Sequence, residues 1–450
     1  MKILLIMAAD ESEMMHTNNP IMPLALPLLA ATAPEHHYTI IDLLAEEKFS
    51  YDDPVDLVGI SARFTSEERA FRIADEFRKR KVPVVLGGPQ MSATPFEAIN
   101  HADAVVVGEG EKLWPVLLND LKRNGLKQFY VCSSEPFSAP GYSIHQITEY
   151  LNLEETPAAL RYLAKGKYVF DTTFASRGCP IDCDFCYVPA HFGKKFRLRP
   201  IEDVVGEIKT FKRRFYYLID DTVFGKPSTY DYYYNLYDAI SKLKKVKYWM
   251  GQANLDAVAH EKGREVIRKA REAGFLYASV GIESVNPATL EKSGAIRKMG
   301  VRSTNEALER IREHLRFIQD LGIIISGWFV LGYEDDTIET YYQTYEFCKE
   351  MHILPAIFPV NALPGTRLYA RMEALGRIKQ TRFSNIAHPG MNDDDIEKAL
   401  KSIIADGYSF SSNVRRIRYY LPRFKKDKIH NTIFLWILQG KMRQGVDATV

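Results

Sequence analysis

Twice along this chain, short β-branched runs alternate with helical patterns, and that alternation limits the fold more than any other feature. Residues 3–7, 38–42, 57–61, 82–88 and 104–108 read as strands, with helices over 24–31, despite Pro27, and over the charged amphipathic stretch 66–80. A helix between successive strands returns the chain to the same end of a sheet, so the strands pair in parallel. The first half is therefore expected to be α/β, an open, doubly wound, Rossmann-like sheet. From residue 168 the pattern resumes with strands at 168–174, 215–219, 248–251, 277–281, 323–331 and 357–361, enough for a partial (β/α)6 TIM barrel. A chain of 450 residues exceeds what one core holds. The expected organisation is a doubly wound domain over 1–135, a linker over 136–165, a partial barrel over 166–380 and a mainly helical extension over 381–450, the expected region of substrate recognition.

Ligands of both sheet types sit at the carboxyl ends of strands. In the first half this rule gathers Asp42, Ser61, Gly87, Gly88 and Gly108 on one rim, where glycine lets a large ligand approach the backbone. Each glycine also has a plainer reading as a strand terminator. In the second half the rule selects Asp220 and Asp221 after strand two, Gln252 and Asn254 after strand three, and Glu283 after strand four. A carboxylate there accepts from an ammonium or from ribose hydroxyls, although an Asp-Asp pair after a strand also serves as a helix cap.

Directly after residue 174 stand Cys179, Cys183 and Cys186, a C-x3-C-x2-C spacing within Ser176-Arg177-Gly178-Cys179-Pro180-Ile181-Asp182-Cys183-Asp184-Phe185-Cys186-Tyr187. Three thiolates would leave one iron of a cubane without a protein ligand, and such an iron can bind substrate. The rivals are a closed four-ligand zinc site, with His191 as the fourth ligand, and a ferredoxin-type cluster, which takes four thiolates. Cys132 and Cys348 stand far apart in ordinary contexts and read as buried small apolar residues.

The aromatic Phe185 before the last cysteine makes the segment resemble the radical S-adenosylmethionine superfamily. That resemblance implies a [4Fe-4S] cluster whose open iron chelates the methionyl amine and carboxylate of S-adenosylmethionine, with Phe185 against the adenine. It also implies reductive cleavage to a 5′-deoxyadenosyl radical, fed by an external electron donor such as flavodoxin or ferredoxin. Ile219-Asp220-Asp221-Thr222 falls where the superfamily contacts the methionyl amine, and Gly281-Ile282-Glu283-Ser284 resembles its strand-four motif near the ribose. Gly327-Trp328-Phe329-Val330-Leu331-Gly332 resembles its fifth strand, where a glycine admits the adenosine. In the first half, Gly87-Gly88-Pro89-Gln90 followed by Gly108-Glu109-Gly110-Glu111 resembles the cobalamin-binding domain of one large class of these enzymes. The resemblance spans roughly residues 1–135 and implies cobalamin near Asp42, Ser61, Gly87, Gly88, Gly108 and Glu109. The Asp-x-His-x-x-Gly motif is absent, since His16, His36 and His37 stand in other contexts, so Arg63, Phe64 or Thr65 is expected under the corrin. A degenerate domain without cobalamin is the alternative.

Charge excludes little but points away from nucleic acid: the formal net charge is +2, with no segregation before the C-terminal region. The apolar start leads into Asp10, Glu11 and Glu13 without a cleavage site, and no apolar stretch reaches the roughly 20 residues of a membrane span. A cytoplasmic protein with at most peripheral membrane contact is expected. Residues 413–428 carry Arg415, Arg416, Arg418, Arg423, Lys425, Lys426 and Lys428 among aromatic residues, followed by an apolar face at 433–438. That pattern suits an anionic surface, an acidic substrate, or a helix packed on the barrel with its basic face in solvent.

Together these features predict a cobalamin-dependent radical S-adenosylmethionine methyltransferase acting on an unactivated carbon of a small molecule, lipid or tetrapyrrole. The same parts would serve a cyclase or oxidoreductase of the anaerobic tetrapyrrole cyclase type. A non-catalytic iron-sulfur electron carrier would leave the polar strand ends unexplained.

Overall fold

The computed structural model describes residues 1–9, 21–45, 47–179, 181–244, 247–299, 306–381, 384–424, 428 and 431–436. Asp10, Glu11, Glu13, His16, Lys425, Lys426 and residues 437–438 of the sequence reading lie outside them. Two compact units are formed, one from residues 1–178 and 188–200, the other from 179–187 and 201–450.

In the first unit, β1 (Lys2–Met7), β2 (His37–Asp42), β3 (Leu57–Ser61), β4 (Val84–Gly87), β5 (Ala104–Val107), β6 (Phe129–Cys132) and β7 (Ile144–Ile147) form one sheet in the order 2-1-3-4-5-6-7, every pairing parallel. Alternate residues of each strand feed opposite faces. Leu4, Ile6, Val58 and Ile60 pack with Phe71 and Phe77, whereas Ile3, Leu5, Leu57 and Tyr38 pack with Trp114 and Leu117. Burial on both faces explains why Ile3-Leu4-Leu5-Ile6 is a continuous apolar run rather than an alternating one. Residues 136–165, expected as a linker, contribute β7. The strands β6 and β7 went unread, although Phe129-Tyr130-Val131-Cys132 has the aromatic and β-branched content of a strand.

The cysteine segment follows β8 (Phe170–Thr173) in the chain, and the base of its loop is formed by β9 (Ser176–Arg177) paired antiparallel with β10 (Arg197–Leu198). In the second unit β11 (Phe215–Leu218), β12 (Tyr248–Ala253), β13 (Phe275–Glu283), β14 (Ile324–Leu331) and β15 (Leu354–Pro359) run parallel in chain order. Helices stand between successive strands, as at Tyr230–Ser241, Glu261–Glu272 and Ala307–Asp320. The last strand begins three residues before the expected 357, because Pro355 and Pro359 argue against a strand. Proline is tolerated where a strand lies at the sheet's edge, the position β15 holds.

The basic C-terminal stretch folds as the helix Phe410–Tyr420. Arg416 is buried, donating to Asn413 Oδ1 at 2.8 Å and to the Gly407 carbonyl. Arg423 lies 3.8 Å over the Tyr419 ring and donates to Asp320 at 3.1 Å, and the Tyr420 hydroxyl accepts from Gln319 and from the Ile325 N–H of β14. The helix is thus packed on the second unit through part of its basic set.

Candidate active site

Within the second unit the cysteine loop is fixed by its own polar residue. Asp184 is buried; its N–H donates to the Ser293 carbonyl at 3.0 Å and its carbonyl accepts from the Leu368 N–H at 2.9 Å. Its side chain accepts from the Tyr333 hydroxyl at 2.8 Å and pairs with Arg371 at 3.0 Å. Arg297 and Arg367 donate to the neighbouring Asp182 carbonyl at 2.9 and 2.6 Å. A short, otherwise irregular loop thereby acquires partners on three separate segments, and Cys183 is buried while Cys179 and Cys186 are half-buried. Burial pushes the Cys179 thiol up to about 11 and the Cys183 thiol to about 12, against the field of Lys298.

Lys298 is the cation of the site. It donates to Glu283 Oε1 at 2.6 Å and lies 5.6 Å over the Phe185 ring. Burial opposes its charge, but Glu283 and the nearby thiols hold it protonated well above its ordinary range. Glu283 itself sits after a register shift at the end of β13 with φ of 69°, a backbone conformation a non-glycine residue adopts only where its surroundings compel it. A Cβ on Gly281 would fall on the Glu283 carboxylate, so the Gly281-Ile282-Glu283 sequence is what lets this carboxylate fold back to Lys298.

Asp220 and Asp221 separate clearly. Asp220 is fully buried and accepts from the Tyr233 hydroxyl at 3.1 Å, whereas half-buried Asp221 acts electrostatically on Cys179 and Tyr217. The Tyr217 hydroxyl in turn accepts from exposed Gln252 at 3.5 Å. Asn254 is buried with no partner for its Nδ2, and two residues on Asp256 has a buried, unpartnered Oδ1. Burial raises the Asp256 carboxyl to about 7.

Strand register places Tyr217, Gln252, Ser279, Ser326 and Trp328 on one sheet face, with Phe358 following through its pairing to Val330. Trp328 and Phe358 are among the exposed large hydrophobic residues, with ring centroids 5.3 Å apart. Gly327 lies on the opposite face, where a Cβ would meet Ile353, Phe329 and Ile282. This glycine gives the strand close packing on that face.

No three His, Cys, Asp or Glu side chains among the described residues converge as ligands of a single ion. His191, the fourth ligand of the zinc alternative, has Glu109, Arg177 and Glu111 as its electrostatic neighbours. A cubane spreads its thiolates over different irons, so the three cysteines of one buttressed loop, beside a buried lysine, fit that group.

In the first unit the expected rim does assemble. Met7 pairs with Asp42 and with Ser61, and Ser61 with Gly87, so these residues share one end of the sheet. The order 2-1-3-4-5 puts its reversal between β1 and β3, where open sheets of this type accept ligands. Most of the rim is already engaged. Asp42 accepts from Tyr168 at 3.1 Å and from the Leu44 N–H at 3.0 Å. The Arg63 N–H donates to Ser66 Oγ at 3.0 Å. Gly88 and Gly108 have φ of 94° and 82°, and a Cβ on them would fall 2.7 Å from the Ala62 carbonyl and 2.4 Å from the Cys132 carbonyl. Glu109 has both carboxylate oxygens bound by arginines.

Sequence reasoning missed Asp184, Lys298, Asp256, Tyr217 and Phe358. Asp184 carried a usable signal, a charged residue inside a cysteine loop; the others become neighbours of the site only through tertiary structure.

The sequence profile of the radical S-adenosylmethionine superfamily matches residues 174–348. Among characterised proteins, the chain is 31% identical to the bacteriochlorophyllide d C-8(2)-methyltransferase of Chlorobaculum tepidum, over 89% of this chain and 88% of that one. It is 27% identical to the C-12(1)-methyltransferase of the same organism, over 83% and 78%. Among solved structures, the cobalamin-dependent S-adenosylmethionine radical enzyme OxsB superposes with a TM-score of 0.70 over 97% of this chain and 72% of that one, at 16% identity, a likeness of fold.

Proposed function

Because the chain belongs to the radical S-adenosylmethionine enzymes, in the family of the bacteriochlorophyllide C-methyltransferases, we propose that it uses cobalamin and methylates an unactivated carbon of a substrate with an extended apolar ring system. The observation that carries the proposal is the buttressed three-cysteine loop beside Lys298 and Glu283. When bound, the cluster, S-adenosylmethionine and cobalamin supply one-electron cleavage and methyl storage. This chain's residues do the rest. Cys179, Cys183 and Cys186 hold the cluster. Phe185 would border the adenine, Asp221 would take the methionyl ammonium, and Gln252 and Asn254 would offer amide donors to the carboxylate or ribose. Asp220, committed to Tyr233, positions the turn that carries Asp221. Glu283, paired with Lys298, would accept from the ribose hydroxyls.

The exposed pair Trp328 and Phe358, on a face whose register positions carry no formal charge, favours a flat apolar substrate of the kind the bacteriochlorophyllide relatives modify. Cobalamin would be held at the carboxyl end of the seven-stranded sheet by Ser61, Gly87, Gly88 and Gly108, with Arg63 as a residue that would border it. In domain terms the doubly wound unit precedes the partial barrel, and the helical extension follows.

The test is anaerobic turnover with methyl-labelled S-adenosylmethionine, a low-potential flavodoxin or ferredoxin and candidate tetrapyrroles or polycyclic lipids. A product heavier by one labelled methyl group supports the reading. A product without label but altered in mass assigns cyclisation or oxidation instead.

A further inference from the structure

The Gly108-Glu109-Gly110-Glu111 turn resembles a cofactor-binding motif, yet its carboxylates point at arginines that flank the cysteine loop. Glu109 Oε1 accepts from Arg177 at 3.0 Å and from Arg197 at 2.6 Å, and its Oε2 accepts from Arg197 at 3.0 Å and from the Leu151 N–H at 3.1 Å. Glu111 pairs with the other arm of Arg177. Glu109 is 4% exposed. Burial pushes the Glu111 carboxyl up, but the Arg177 guanidinium outweighs it and keeps Glu111 ionised. Arg177 stands two residues before Cys179 and lies 4.9 Å over the Phe174 ring. Arg197, on the far side of the loop, lies 5.1 Å over Tyr150 and donates to the Leu151 carbonyl at 2.8 Å. The two arginines are register partners in the β9–β10 pair, and a Cβ on Gly178 would fall 2.9 Å from the Lys195 carbonyl, so the loop base is closed tightly.

Forked guanidiniums bound to carboxylates fix direction as well as distance. A single glutamate bound to both arginines thus sets the separation and angle of the two strand residues that bracket residues 178–196, the stretch within which the three cysteines lie. We propose that Glu109, with Glu111, is a positioning residue for the iron-sulfur cluster, acting through the Arg177–Arg197 clamp rather than by contact with cobalamin. This inference rests on the reading that Cys179, Cys183 and Cys186 hold the cluster.

The experiment uses full-length protein reconstituted anaerobically, comparing wild type with Glu109→Gln, Arg177→Lys and Glu111→Gln. The expected result is about four irons per chain, as for any intact cubane, and unchanged cobalamin binding in all of them. The electron paramagnetic resonance shift on adding S-adenosylmethionine should broaden in Glu109→Gln and Arg177→Lys. Their rate of 5′-deoxyadenosine formation should fall about tenfold or more at saturating S-adenosylmethionine, with a smaller fall in Glu111→Gln. Wild-type resonance and rate in both Glu109→Gln and Arg177→Lys would overturn the proposal, as would loss of cobalamin binding with the cluster signal unaltered. Should Glu109→Gln not fold, Arg177→Lys, which keeps the charge and loses the fork, decides alone. Wild-type protein that neither takes up iron nor forms 5′-deoxyadenosine would instead refute the cluster reading itself.

Discussion

The carboxyl ends of the two sheets obey the same topological rule but spend their polar residues differently. On the first, Asp42, Gly88, Gly108 and Glu109 are engaged by the unit's own backbone, by Tyr168 and by arginines. On the second, Gln252 is exposed, and Asn254 and Asp256 bury polar atoms without partners. Burying an unpaired polar group costs stability, so a fold that retains two of them close together in sequence is organised for something other than stability alone. A motif at a strand end is therefore no guide to ligand contact until its hydrogen bonds are counted.

The cysteine loop should give the largest effect. Replacing Cys179, Cys183 or Cys186 by Ala is expected to abolish formation of 5′-deoxyadenosine and to lower the iron content, read by iron assay and product chromatography. Cys132→Ala and Cys348→Ala should keep both, since these buried thiols lie outside the loop. A stable zinc in place of iron would remove the contrast altogether.

Next comes the buttress of that loop. Asp184→Ala takes the acceptor from the buried Tyr333 hydroxyl and the partner from the part-exposed Arg371, and leaving a buried polar group unsatisfied costs about 1–3 kcal/mol. Denaturation of the apoprotein should show it before any cofactor is added. A loss appearing only in the loaded enzyme would mean that Asp184 acts on the cofactor instead.

The first sheet offers the converse test. Gly108→Ala puts a methyl group against the Cys132 carbonyl at a φ that side chains rarely adopt, a strain of about 1–3 kcal/mol. Its stability should already fall in the cobalamin-free protein. Equal stability of variant and wild type there would leave ligand contact as the sole role of this glycine.

Fold was legible where burial is two-sided. The parallel strands announced themselves as continuous apolar runs, and β1, β3 and β5 lie within a residue of where they were read. Strands hidden by proline, as in β15, or standing after the expected domain end, as in β7, were not legible, because edge position and late pairing are tertiary properties, whereas β6 carried a signal that went unread. The cysteines, Phe185 and the glycine turns were legible as motifs. The different surroundings of Asp220 and Asp221 were not, since burial and the packed Tyr233 hydroxyl that Asp220 accepts from are tertiary properties. Lys298 and Asp256 belong to no local pattern and enter the site through the fold alone.

The smallest effect should come from Asp256, where the contrast between the two sheets becomes measurable as pH dependence. Burial raises this carboxyl from 3.8 to about 7. A carboxyl whose folded value exceeds its unfolded value binds more protons folded than unfolded, so its contribution to stability is greatest at low pH. That contribution is lost as pH rises through the interval from about 4 to about 7, and is constant above it. Asp256→Asn carries no titrating group and keeps the shape. The variant should match wild type in thermal midpoint near pH 4, exceed it increasingly through neutrality, and hold a fixed advantage at about pH 8, where the contribution of the carboxyl no longer changes. A constant difference across the whole range would show that Asp256 stays ionised in the fold. It would then stand with the engaged carboxylates of the first sheet rather than with its neighbour Asn254.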